Sequence, residues 1–158
     1  MNRRLFLLTV AAVPAAAWAQ AEPKGPQPEL PKHQITIVTK NGQKHGFDVE
    51  MATTPQEQET GLMFRKSVPS NGGMLFVWDV PQISHMWMKN TLVALDMVFI
   101  KPDGVIDSIA DNTVPHSLRD ISSHGDVIAT LELAGGTTAR LGITVGDKVL
   151  APMFHDVG

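Results

Sequence analysis

The sequence predicts a mostly β protein, a single jelly-roll-like sandwich or barrel carrying one or two short helices. Three observations predict it. The chain has 158 residues, 43% of them apolar, enough for one domain with a real core. Its apolar residues fall in short β-branched runs separated by Gly, Pro and Asn turn signals, the pattern of short strands rather than of amphipathic helices. The strand–helix alternation of a doubly wound sheet is absent.

Residues 1–19, MNRRLFLLTVAAVPAAAWA, read as an address rather than as structure. Arg3 and Arg4 give a basic start, Leu5 to Ala17 is apolar, and Ala17-Trp18-Ala19 is an A-x-A cleavage pattern. The apolar run of about 13 residues is short of the roughly 20 that span a bilayer. Arg3-Arg4-Leu5-Phe6-Leu7 also matches the core of a twin-arginine signal, although ordinary export signals begin with basic pairs too. The expectation is a periplasmic or secreted protein that is not an integral membrane protein once cleaved.

Residues 20–33, QAEPKGPQPELPKH, carry four prolines and read as a flexible, polyproline-like lead-in. The domain proper is expected over 34–154, followed by a short tail, 155–158. Gln34 to Lys40 is a β-branched strand, Asn41-Gly42 a hairpin turn, and Lys44 to Met51 its return. Thr54-Pro55-Gln56-Glu57 opens a helix: Thr54 caps, Pro55 suits the first turn, and Glu57 completes a capping box. Gly61 ends it. Met74 to Trp78 reads as a buried strand, and His85 to Asn90 as extended. Leu95 to Ile100 and Val105 to Ile109 form a hairpin about Pro102-Asp103-Gly104. Val127 to Ala134 is a strand, Thr137 to Leu141 one helical turn closed by Gly142, and Lys148 to Pro152 a last strand.

Composition removes several function classes. The chain has no cysteine, so disulfide scaffolds, thiol catalysis and cysteine-ligated metals are excluded. A net charge of −3 argues against nucleic-acid binding through phosphate neutralisation. No Walker loop, G-x-S-x-G elbow or dinucleotide fingerprint is present, and no cofactor is expected.

Three runs carry most of the information: Gly61-Leu62-Met63-Phe64-Arg65, Gly73-Met74-Leu75-Phe76, and Trp87-Met88-Lys89-Asn90-Thr91 with Leu95-Asp96 soon after. Together with Leu131-Glu132-Leu133-Ala134-Gly135 and Gly142-Ile143…Gly146-Asp147 they resemble the domain of unknown function 192 family, over about 49–149. The resemblance implies a compact, jelly-roll-like β domain, often secreted or periplasmic. It carries over no activity.

The chemistry must come from the residues. Asp96 and Glu132 each sit between apolar neighbours in a strand, and a carboxylate so placed needs a partner or a raised pKa. Arg65 and Lys89 are the cations within the informative runs. The expected polar cluster is therefore Arg65, Lys89, Asn90, Asp96 and Glu132, either bracing loops onto the sheet or binding a small polar ligand, with Met74, Trp87 and Met88 lining the pocket. Asn90 is read as a turn residue. Two carboxylates also fit a hydrolase acting on a cell-envelope glycan through Asp96 and Glu132. His85-Met86-Trp87-Met88 invites comparison with a periplasmic copper site, since Cu(I) prefers soft donors. Strand alternation, though, turns His85 away from Met86 and Met88, and these methionines read as packing. The six histidines show no metal-ligand spacing; no metal site is assigned. The reading is a monomeric, non-enzymatic binding or accessory module, with hydrolase and copper protein as alternatives.

Overall fold

The structure, a computed structural model, describes residues 22–154; the leader and the C-terminal tail lie outside the described residues. The chain is mostly β, 41% strand and 8% helix, and its main sheet curls into a half-barrel. The strands are β1 (Lys32–Val38), β2 (Lys44–Ala52), β3 (Gly72–Gln82), β4 (His85–Met86), β5 (Leu95–Ile100), β6 (Ile106–Ala110), β7 (Ile121–Ser122), β8 (Val127–Ala134) and β9 (Lys148–Leu150). The helices are α1 (Pro55–Thr60) and α2 (Thr137–Leu141).

The seven-stranded sheet runs β6-β5-β8-β3-β2-β1-β9, and β4 pairs with β7 apart from it. The two edges of the large sheet meet at one bridge, Val105 to Lys148, so curling leaves little open edge. Of the sandwich and the barrel, the chain takes the barrel-like form. All but one of the large sheet's pairings are antiparallel; β2 and β3 are parallel, joined through α1. That crossover escapes the sequence pattern because α1 is only six residues long.

Local signals explain the elements. Thr54 Oγ1 accepts from the Glu57 N–H, while the Glu57 carboxylate accepts from the Thr54 N–H: a complete capping box. Gly61 ends the helix at positive φ. Asn41-Gly42 turns β1 into β2, with the Gly42 N–H donating to the Thr39 carbonyl. β5 is buried along its whole length, as expected of a strand covered on both faces.

Those two faces build two cores. One holds Ile37, Val49, Leu75, Val98, Ile100, Leu131 and Val149. The other, beneath α1 and the 87–91 turn, holds Leu62, Met74, Phe76, Met88, Leu95, Met97 and Phe99. Alternation sorts them: Leu75 joins the first core, Met74 and Phe76 the second.

The proline-rich segment 22–31 has no regular secondary structure, but it lies along the domain. The Gln27 amide donates to the carbonyls of Glu57 and Gly61, capping the end of α1. Leu30 packs on the second core, and the Met51 N–H donates to the Pro31 carbonyl.

Candidate functional site

The five polar residues expected to meet are divided among three places. Arg65 pairs with Glu50 at 2.9 Å, not with Asp96 or Glu132. The same Glu50 oxygen accepts from the Leu30 N–H, so this half-buried pair pins the lead-in to β2. It lines a cleft of about 360 Å³ with Lys32, Asp48 and Asn71. Sequence reasoning missed Glu50, although it stands between Val49 and Met51 as Asp96 and Glu132 stand between their apolar neighbours, because the Asp48–Glu50 alternation of β2 reads as an ordinary solvent-facing edge.

Asp96 is fully buried and needs no cation. It accepts from the N–H groups of Asn112, Gly136 and Thr138 and from the Thr138 hydroxyl, at 2.7–2.9 Å. Burial pushes its pKa upward, but these hydrogen bonds outweigh burial and hold the carboxyl below its ordinary value. Asp96 therefore clamps the 111–113 loop and the start of α2 onto β5. Asp147 does the same elsewhere, accepting from the N–H groups of Lys40 and Thr144.

Glu132 is the exception. It lies in β8 directly between Met74 of β3 and Met97 of β5, 4% exposed. No protein group among the described residues hydrogen-bonds its carboxyl. Desolvation alone pushes its pKa up to about 8, so near neutral pH it is a protonated acid that can donate as well as accept.

Above Glu132 lies an open groove of about 240 Å³. One wall is the end of α1, with Gln58 and Glu59, together with Met63 just beyond the helix; the other is His85, Met86, Trp87 and Lys89. Phe76 and Trp78 come up from β3. Trp87 is 44% exposed, and the Lys89 ammonium sits 4.9 Å from its ring centre while pairing with Glu22 at 2.6 Å. The Trp78 indole N–H is buried without a partner. Phe64, Asn90 and His116, which adjoin the lining residues Met63, Lys89 and Thr91 in sequence or by hydrogen bond, all have positive φ. They are tied together by Phe64 N–H to the Asn90 carbonyl and His116 N–H to the Thr91 carbonyl. Such strain persists only where surrounding structure enforces it, and it clusters at functional sites.

Of the expected pocket residues, Trp87 lines the groove, Met74 lies beneath it beside Glu132, and Met88 is fully buried. The Met88 sulfur accepts from the Thr113 hydroxyl at 3.1 Å, which makes it a packing residue. His85 turns its Nδ1 to Asp120 at 3.0 Å on the surface. Asn90 forms the expected turn, its amide against the Met63 sulfur. Among the described residues no three His, Asp or Glu side chains are grouped to hold a metal, and no helix is long and apolar enough to cross a membrane. The Asp96–Glu132 pair required by the hydrolase alternative is not formed, since the two side chains emerge on opposite faces of the sheet.

A family model described as DUF192, Uncharacterized ACR, matches residues 36–151. The fold is similar to a crystal structure from Sinorhizobium meliloti 1021, provisionally described as a transcription regulator. That chain is 40% identical, with a TM-score of 0.76 over 78% of this chain and 96% of the other. It is also similar to a protein of unknown function from Novosphingobium aromaticivorans DSM 12444, 37% identical, with a TM-score of 0.76 over 89% of this chain and 100% of the other. No curated protein matches the chain.

Proposed function

The chain belongs to the DUF192 family, and from that premise we propose that it is an exported, non-enzymatic binding module. Its ligand enters the groove between Trp78 and Trp87. The observation that carries the reading is Glu132, a buried carboxyl without a protein partner at the floor of a groove that solvent reaches. Buried polar groups are normally satisfied, and an unpaired one beneath aromatic walls matches the build of small-molecule sites, mostly apolar with a few placed polar groups.

Binding is favoured over hydrolysis by the placing of the carboxylates. Glycoside hydrolysis in its usual form needs two of them flanking one bond, and Asp96 is committed to four hydrogen bonds on the far side of the sheet. Export rests on the cleavage pattern at Ala17-Trp18-Ala19. Intact mass of the protein recovered from the periplasm tests that part: the expected species begins at Gln20, and one retaining Arg4 overturns it.

The groove itself has a built-in reporter. The chain's tryptophans are Trp18, Trp78 and Trp87, so after loss of the leader both remaining indoles line the groove. Titration of the mature protein with a panel of small polar compounds, followed by the two indole N–H resonances, is expected to shift both together for at least one compound. A panel that moves neither resonance sinks the reading.

A further inference from the structure

Resting on the groove reading above, we infer that the ligand class is a neutral saccharide unit. Its apolar face lies against the tryptophans and its hydroxyl edge points to Glu132 and the Trp78 indole N–H. Four observations converge on that chemistry.

The first is charge. Lys89 stands at the mouth with its ammonium over Trp87. It repels an organic cation. Glu59 on the α1 wall opposes an anion. A neutral guest avoids both conflicts.

The second is unmet hydrogen bonding. Trp78 Nε1–H can only donate, whereas the Glu132 carboxyl in its protonated form both donates and accepts. The Trp78 N–H has no protein partner among the described residues, and burial is the one influence acting on the Glu132 carboxyl. A hydroxyl satisfies either kind of group, so one polyhydroxylated edge can meet both, whereas a hydrocarbon leaves both stranded.

The third is shape. Trp78 and Trp87 supply broad apolar faces, and Met63 and Met86 supply flexible thioethers that fit irregular outlines. A pyranose presents one apolar C–H face and a polar edge, and the groove lining offers both aromatic and polar side chains to meet them. The fourth is size. About 240 Å³, below the roughly 300–1,000 Å³ of drug-sized sites, is room for a single ring inside the groove.

The test uses the mature protein and the two indole N–H resonances. The probes are methyl glucoside, methyl galactoside and N-acetylglucosamine, with choline, acetate and nicotinamide as a cation, an anion and a flat neutral heterocycle. At least one saccharide is expected to shift both indoles. Glu132→Leu should weaken it roughly tenfold, about the value of one buried hydrogen bond, while Glu132→Gln keeps a neutral donor and most of the affinity. Trp87→Ala should abolish the response at Trp78 to the saccharide. Response to nicotinamide or choline with none to the three saccharides overturns the saccharide class and leaves the groove reading standing. Silence toward all six probes overturns both. Equal saccharide affinity in wild type and Glu132→Leu overturns the role given to the floor.

Discussion

Asp96 and Glu132 lie on the neighbouring strands β5 and β8, one register step apart, and face opposite sides of one sheet. Asp96 stands opposite Leu133, and Glu132 opposite Met97. The same residue type thereby acquires two protonation behaviours. Asp96 meets four donors and stays ionised; Glu132 meets two methionines and is held protonated.

Asp96→Asn should lower stability by about 3 kcal/mol or more, because the amide nitrogen cannot accept and N–H groups of Asn112, Gly136 or Thr138 are left unmet. The pH dependence follows from its lowered pKa. The contribution is complete above the unfolded value of about 3.9 and is lost as pH falls through the lower folded value. Urea melts of wild type and variant between pH 7 and 3 check this: the gap should narrow on acidification. An unchanged gap contradicts the clamp.

Glu132 carries the opposite sign. Folded, it keeps its proton up to about pH 8, whereas the unfolded chain releases it near about 4.3. The folded state therefore holds more protons in that window, and the contribution of this group to stability falls as pH rises from about 4 to 8. The titratable side chains around it are Glu59 of α1, His85 of β4 and Lys89 of the following turn. Glu132→Gln should remove this loss and be the more stable protein at pH 8, by a few kcal/mol at most. Chemical melts at pH 5 and 8 decide; a variant less stable than wild type at pH 8 shows that the carboxyl is paired.

Arg65→Ala should cost about 2 kcal/mol, between the roughly 0–1 of exposed pairs and the 3–5 of buried ones. Arg65 and Glu50 side chains are 18% and 9% exposed, and the Arg65 Nε is buried without a partner. Arg65→Lys should recover part, since lysine lacks the planar fork. Denaturant midpoints measure both, and a loss below about 0.5 kcal/mol places Arg65 among surface pairs.

Gly73→Ala should prevent normal folding. A Cβ at Gly73 would collide with the backbone carbonyl of Glu132 and approach Leu133, and β3 cannot move off β8 without breaking the ladder that floors the groove. Loss well above the usual range for a single substitution, about 0.5–3 kcal/mol, is expected by thermal melt. A near-native melt shows that the two strands are less tightly apposed.

Sequence alone determined the elements whose cause is local. The capping box at Thr54 and Glu57, the Asn41-Gly42 turn, the strand of Leu95 to Ile100 and the turn of helix from Thr137 to Leu141 each follow from neighbouring residues. The family followed from short ordered motifs within residues 36–151. What only the tertiary structure decided was company. Alternation showed that Asp96 and Glu132 each interrupt an apolar strand, but the β5–β8 register turned them to opposite faces, and register depends on pairing between distant segments. Arg65 met Glu50 because the parallel β2–β3 crossover brings α1 and the 61–65 turn over β2, a contact that no spacing rule contains. The groove likewise draws Gln58, Trp78, Trp87 and Glu132 from four separate stretches of chain, and a site of that kind exists only once the sheet has curled.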